Sequence, residues 1–166
     1  MAPALPAPGD RSTQEVADRL AIHELYARYA QAADLADGAA YADCFTEDGW
    51  TDISSFGHTA ESFQARGLDI LDETGKVRGR ARLRAIATKA SGAPLYHHLT
   101  VNVLVTSYDG DRATGAAYFV VLSPDGRVHQ FGRYEDVIVR DTDGQWRFAE
   151  RRDLAAYNSG TTLPQG

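Results

Sequence analysis

Three polar residues early in the chain, Tyr26, Tyr29 and Asp34, lie on or beside the apolar face of a long helical pattern. Leucine and valine are the usual occupants of such a face. Two adjacent histidines, His97 and His98, fall later in a strand pattern. A carboxylate that accepts one ring N–H of an imidazole fixes its tautomer and stabilises its charged form, and the other ring nitrogen then takes a substrate proton. Histidine suits this work near neutral pH. Tyrosine hydroxyls anchor or protonate an oxygen. These residue types together point to proton transfer in a closed, mostly apolar chamber.

Neighbouring strand residues point to opposite faces, so only one of the two histidines enters a given pocket. Leu95, Leu99, Val101, Val103 and Val105 share a face with His97, whereas Tyr96, Thr100 and Asn102 share one with His98. The pattern puts His97 on the more apolar face and does not say which face is inside. Tyr118 and Tyr134 offer further hydroxyls to the chamber. Arg151 either binds a substrate anion or pairs with a carboxylate. Trp50 and His58 are candidates for a covering loop. Cys44, the single cysteine, reads as a buried thiol.

Other chemistries lack their residues. The chain has no H-E-x-x-H, H-x-H or C-x-x-C, and adjacent strand histidines do not chelate one ion in regular geometry. It has no G-x-G-x-x-G, Walker loop or G-x-S-x-G. Acid–base chemistry without a cofactor or metal is what remains.

The elements that must position these groups follow from spacing. Ser12 and Glu15 have capping-box spacing, so a helix is expected from about residue 13 to about residue 33. Val16, Leu20, His23, Ala27 and Ala30 form one stripe of it, and Ile22, Leu25, Tyr26, Tyr29 and Ala33 a second, so the helix is expected to be widely covered. Asp37-Gly38 stops it, Gly38–Phe45 reads as a short helix, and Trp50–Ile53 as a strand. Residues 54–78 show no period and read as a long loop. A third helix runs from Gly79 to about Lys89 and is broken at Ser91–Pro94. Four long strands follow, at Leu95–Thr106, Arg112–Leu122, Val128–Val139 and Gln145–Ala155. Each joint contains an Asp-Gly step, the sign of a hairpin. Helices first and an antiparallel meander afterwards predict an α+β fold with the sheet curved around the first helix.

A length of 166 residues suits one domain, expected over residues 12–158 between tails at 1–11 and 159–166. The net charge of −6 and the absence of a basic stripe argue against a nucleic-acid partner. The apolar runs are too short to cross a bilayer, and one cysteine permits no intramolecular disulfide, so a cytosolic protein is the simplest reading.

The run I-H-E-L-Y-A-R-Y-A followed by Asp34, and then Y-A-D-C-F-T-E-D-G, resembles the SnoaL-like branch of the nuclear transport factor 2-like superfamily. Gly79-Arg80, His98 four residues before Asn102, Asp109–Ala113, Gly132–Asp136 and Trp146-Arg147-Phe148 leading to Arg151 extend the likeness over residues 13–152. The resemblance implies a cone-shaped α+β barrel, often a homodimer or homotrimer. It also implies a hydrophobic, oxygenated ring compound as substrate. Members include dehydratases, ketosteroid isomerase-like enzymes and polyketide cyclases. The family's dehydratases use a Tyr, an Asp and a His, which fall on Tyr29, Asp34 and His98, with Arg151 a fourth. Other members are non-catalytic small subunits of ring-hydroxylating dioxygenases, so an assembly subunit and a small-molecule binding protein are the rival expectations.

Overall fold

The computed structural model describes residues 9–88 and 96–159. The expected helix break at 91–94 and most of both expected tails lie outside the described residues. Helix α1 runs over Thr13–Asp34, with the Ser12 side chain accepting the Glu15 backbone N–H as its N-cap. Leu35 closes it, Ala36 takes a left-handed φ of 55°, and Asp37 caps the short helix α2, Gly38–Asp43. Strand β1 is Phe45–Asp52, longer at its start than its polar residues suggested. Beyond a short helix α3 (Ala60–Gln64) and strand β2 (Val77–Arg78) comes helix α4, Arg80–Ala87. The four long strands are β3 (His97–Tyr108), β4 (Arg112–Leu122), β5 (Val128–Arg140) and β6 (Trp146–Asn158). Gly110, Gly126 and Gly144 adopt the positive φ that their tight turns require.

The strands form one curved, unclosed sheet in the order β2-β1-β6-β5-β4-β3. All pairs are antiparallel except β1 with β6, which run parallel because the helices and β3–β5 intervene between them. Helix α1 lies on the inner face across β3 and β6. Its second stripe, Ile22, Leu25, Tyr26, Tyr29 and Ala33, is buried there. Val16 and Leu20 of the other stripe are exposed, so the sheet covers less of the helix than its composition predicts. The 54–78 segment, expected as a long loop without a period, also contains short regular elements. Asn158 Nδ2 donates to Phe56 O (3.1 Å), a capping box starts α3, and Phe63 and Ile70 enter the core.

Strand β3 decides which histidine faces inward. His98 and Thr100 pair with Val121 and Phe119, both buried on the inner face of β4. The register then slips by one residue between Val101 and Leu104, where Asn102 has a φ of 54°. This bulge reverses the alternation, so Val105 is 2% exposed whereas Leu99 and Val101, which read as the same face, are 46% and 42% exposed. A second slip follows between Val105 and Ser107.

The N-terminal half of α1 is fixed by a buried carboxylate. Asp18 accepts hydrogen bonds from Gln14 (3.0 Å), Tyr108 (2.6 Å), Arg140 (2.7 Å) and Trp146 (3.2 Å), which joins the helix to β3, β5 and β6. Burial pushes its pKa upward, and these donors outweigh that and hold it well below the usual carboxylate range. Asp18→Ala leaves Gln14, Tyr108 and Trp146 without this acceptor and Arg140 with only Asp111 and Gly110 O. The expected loss is about 3 kcal/mol of unfolding free energy, read from urea denaturation at pH 7; a loss of a few tenths would contradict this assignment.

Candidate active site

An aspartate at a helix C-terminus faces the negative end of the helix dipole, an unfavourable place for a carboxylate. Asp34 is the last residue of α1, and the final turn carries no basic residue. The first residues of β3 supply the compensation. Asp34 Oδ1 accepts the backbone N–H of His98 (2.9 Å) and lies 2.7 Å from His98 Nδ1. His97 Nδ1 stands 3.6 Å from the other oxygen, Oδ2. The two histidines differ in surroundings: the His97 side chain is 67% exposed and that of His98 is 22% exposed. His98 lines a hollow of about 180 Å³ with Tyr29, Ala33, Tyr41, Ile86 and Ala87, so α1, α2, α4 and β3 each contribute to one wall. The more apolar-looking face of the strand is thus the outer one, for the register reason given above.

Tyr29 connects this hollow to the core. Its hydroxyl accepts from that of Tyr41 at 3.1 Å. Burial pushes the Tyr29 pKa up to about 12, with the nearby Asp153 charge adding to the rise, and burial drives Tyr41 up as well. Both phenols are therefore neutral donors at physiological pH. Behind Tyr29 lies the fully buried guanidinium of Arg151, with the rings of Phe148, Tyr134 and Tyr29 at 3.9, 4.0 and 4.1 Å. Asp136 binds it through two hydrogen bonds, 2.8 Å to Nε and 3.0 Å to Nη2. Tyr26 donates to the same carboxylate at 2.5 Å. Burial disfavours the Arg151 charge, and Asp136 reverses that and raises its pKa.

Of the residues that the sequence singled out, His98 and Tyr29 line the hollow, Asp34 reaches it through His98, and His97 lies beside Asp34 with its side chain largely exposed. Tyr26, Tyr134 and Arg151 form the buried cluster behind it. Trp50 does not line the hollow; Lys76 Nζ lies 4.5 Å from its ring centre, with Arg152 at 5.5 Å. Asn102 sits in the bulge and Tyr118 on the exposed outer face of the sheet. Cys44 is buried, donates to Ala40 O at 3.4 Å, and has its pKa pushed up to about 11 by burial. An inert thiol is the result.

Two residues were missed by sequence reasoning. Tyr41 was hidden because α2 is too short to show a period. Asp153 is buried two residues after Arg151 on the same face of β6, a spacing that was visible in the sequence. Its Oδ2 accepts from Thr51 at 3.2 Å, while its Oδ1 and the Nη1 of Arg151 have no hydrogen-bond partner among the described residues. Burial raises its pKa to about 7, since the charge of Arg151 offsets only part of the desolvation.

A family model described as a SnoaL-like domain matches residues 14–152. A protein of unknown function from Mycobacterium tuberculosis is 30% identical, with a TM-score of 0.68 over 87% of this chain and 80% of that one. A candidate aromatic ring hydroxylase from Novosphingobium aromaticivorans is also 30% identical, with a TM-score of 0.64 over 86% of this chain and 91% of that one. A candidate scytalone dehydratase from the same organism shares the fold at 16% identity, with a TM-score of 0.66 over 92% and 93% of the two chains. Comparison with curated proteins gives no match.

The raised pKa of Asp153 makes stability fall with pH. Unfolded, the group ionises near 3.8, and folded it holds its proton to about 7. Between those values the native state binds more protons, so wild type loses stability as pH rises, by up to about 4 kcal/mol. Asp153→Asn removes this titration. The variant is expected to gain on wild type in urea midpoint from pH 4 to 7 and to hold a constant difference above that; a difference independent of pH would refute the assignment.

Proposed function

The chain belongs to the SnoaL-like domain family, and we propose that within it this protein is a cofactor-independent acid–base enzyme. It acts as a dehydratase, isomerase or cyclase on a hydrophobic, oxygenated ring compound. The observation that carries this reading is the 2.7 Å contact of Asp34 with His98 Nδ1 at the wall of a hollow that Tyr29 and Tyr41 also line. With the Nδ1 proton directed at Asp34, the lone pair of the imidazole resides on Nε2, which removes a proton from carbon. Asp34 stabilises the imidazolium that forms. The Tyr29–Tyr41 hydroxyl pair holds the substrate oxygen and hydrogen-bonds to the charge that develops there, as neutral phenols do. The Arg151 guanidinium against the Tyr29 ring adds a fixed positive charge behind that position. The ring of the substrate packs against Ala33, Ile86 and Ala87.

The outer face of the sheet supports a homo-oligomer. Leu99 and Val101, Tyr118, Phe131, and Leu154 and Tyr157 are exposed on four successive strands; Val101 pairs with Tyr118 and Phe131 with Tyr157, Val120 joins Leu99 to Phe131, and Arg133 stands between Tyr118 and Leu154. A largely apolar surface of this kind is what a second copy covers. The rival occupant is a larger hydroxylase chain, which the name of the Novosphingobium neighbour brings in.

His98→Ala and Asp34→Asn are each expected to slow exchange of the α-protons of a bicyclic ketone such as β-tetralone into deuterated water by about 10²–10⁴-fold, followed by NMR. Exchange unchanged in both variants would remove His98 as the base. Light scattering is expected to give at least a dimer, and Tyr118→Glu with Leu154→Glu a monomer; a wild-type monomer would overturn the assembly.

A further inference from the structure

The 54–78 segment builds a second hollow beside the first. It encloses about 220 Å³, and Ile86 lines both. Its walls are apolar and aromatic: Ile53, Phe56, Phe63 and Leu68. Three polar side chains also line it, His58, Arg66 and Gln130, and none of its lining residues is acidic. The His58 ring lies 5.3 Å from that of Phe63 and 6.2 Å from that of Phe56. Burial, and then the charge of Arg66, lower its pKa, so at neutral pH it is an uncharged imidazole. The Arg66 guanidinium lies 4.8 Å from the Phe63 ring centre and has no carboxylate partner among the described residues. The wall is anchored rather than loose. Ser55 donates to Asp153 O and accepts from Ala155 N, and Asn158 holds Phe56 O.

We propose that this second hollow binds a carboxylate-bearing arm of the substrate, so that the protein acts on a ring compound carrying a carboxylic acid at a distance from the reacting ring. The inference rests on the reading that the His98 hollow takes that ring. Arg66 is the charged group of the hollow, and its planar fork matches a carboxylate. Gln130 and the neutral His58 supply further donors without repelling an anion. The aromatic walls cover the carbon chain that crosses Ile86. The segment that supplies most of these residues lies away from the proton-transfer residues, so it selects the substrate and leaves the chemistry to Asp34, His98 and Tyr29.

The full-length protein is titrated calorimetrically with naphthylbutyrate and with the uncharged naphthylbutanol. Wild type is expected to bind the acid about tenfold more tightly, the size of one charge-assisted hydrogen-bonded contact. Arg66→Gln keeps hydrogen-bonding capacity and removes the charge, so it is expected to bring both affinities together at the value for the alcohol. Ile86→Trp fills the junction and is expected to weaken both ligands. Equal affinities in wild type, a preference that survives Arg66→Gln, or no effect of Ile86→Trp would each overturn the proposal. Asp34→Asn is expected to retain the preference for the acid. If the preference depends on Arg66 while β-tetralone exchange ignores Asp34 and His98, only the acid–base reading falls; if exchange depends on them and the preference is absent, only the arm site falls.

Discussion

A guanidinium with no solvent contact is the constraint around which the interior is arranged. Removing such a charge from water is unfavourable by several kcal/mol unless a carboxylate and polarisable faces replace the water. Arg151 obtains the carboxylate from Asp136 on the neighbouring strand, and its faces from Phe148, Tyr134, Tyr29 and, at 5.1 Å, Tyr26. Tyr26 closes the set by bonding Asp136, and the space for its hydroxyl exists because position 115 is glycine: a Cβ there would collide with it. These demands fix the depth and rotation of α1 on the sheet. Tyr29 and Asp34 lie further along the same helix, so the geometry of the candidate site follows from how one cation is neutralised.

Much of this architecture was legible because it is encoded locally. The Ser12 cap, the Asp-Gly turns and the bounds of β4 depend on residues close in sequence, and the structure has them where spacing placed them. Asp34 with a histidine was legible for a similar reason: a carboxylate at a helix end and a histidine at a strand start are conspicuous in type. The choice between His97 and His98 was not legible, because the strand looks continuously alternating and the slip at Asn102 shows only in its pairing with β4. The short helix and strand within residues 54–78 were missed too. That segment is held by backbone groups of β6 and the Asn158 side chain, about a hundred residues away, and no local period reports such contacts. The parallel pairing of β1 with β6 is likewise set by the path of the whole chain.

The polar groups around the hollow divide by depth. Asp34 and His98 keep partial solvent access, their side chains being 21% and 22% exposed. Deeper groups are kept in their uncharged forms: the phenols of Tyr29 and Tyr41 by burial, and Asp153 up to about pH 7 by the same cause. The partly exposed imidazole of His98 and the buried phenols of Tyr29 and Tyr41 give the hollow a fixed polarity before any ligand enters.

The slips in β3 mean that the imidazole presented to the hollow is chosen by counting rather than by residue type. Both positions 97 and 98 hold histidine, so a one-residue shift that brings position 97 to the wall would still present an imidazole there, whereas the opposite shift would present Leu99. A duplicated side chain of this sort makes a strand tolerant of a one-residue slip in that direction.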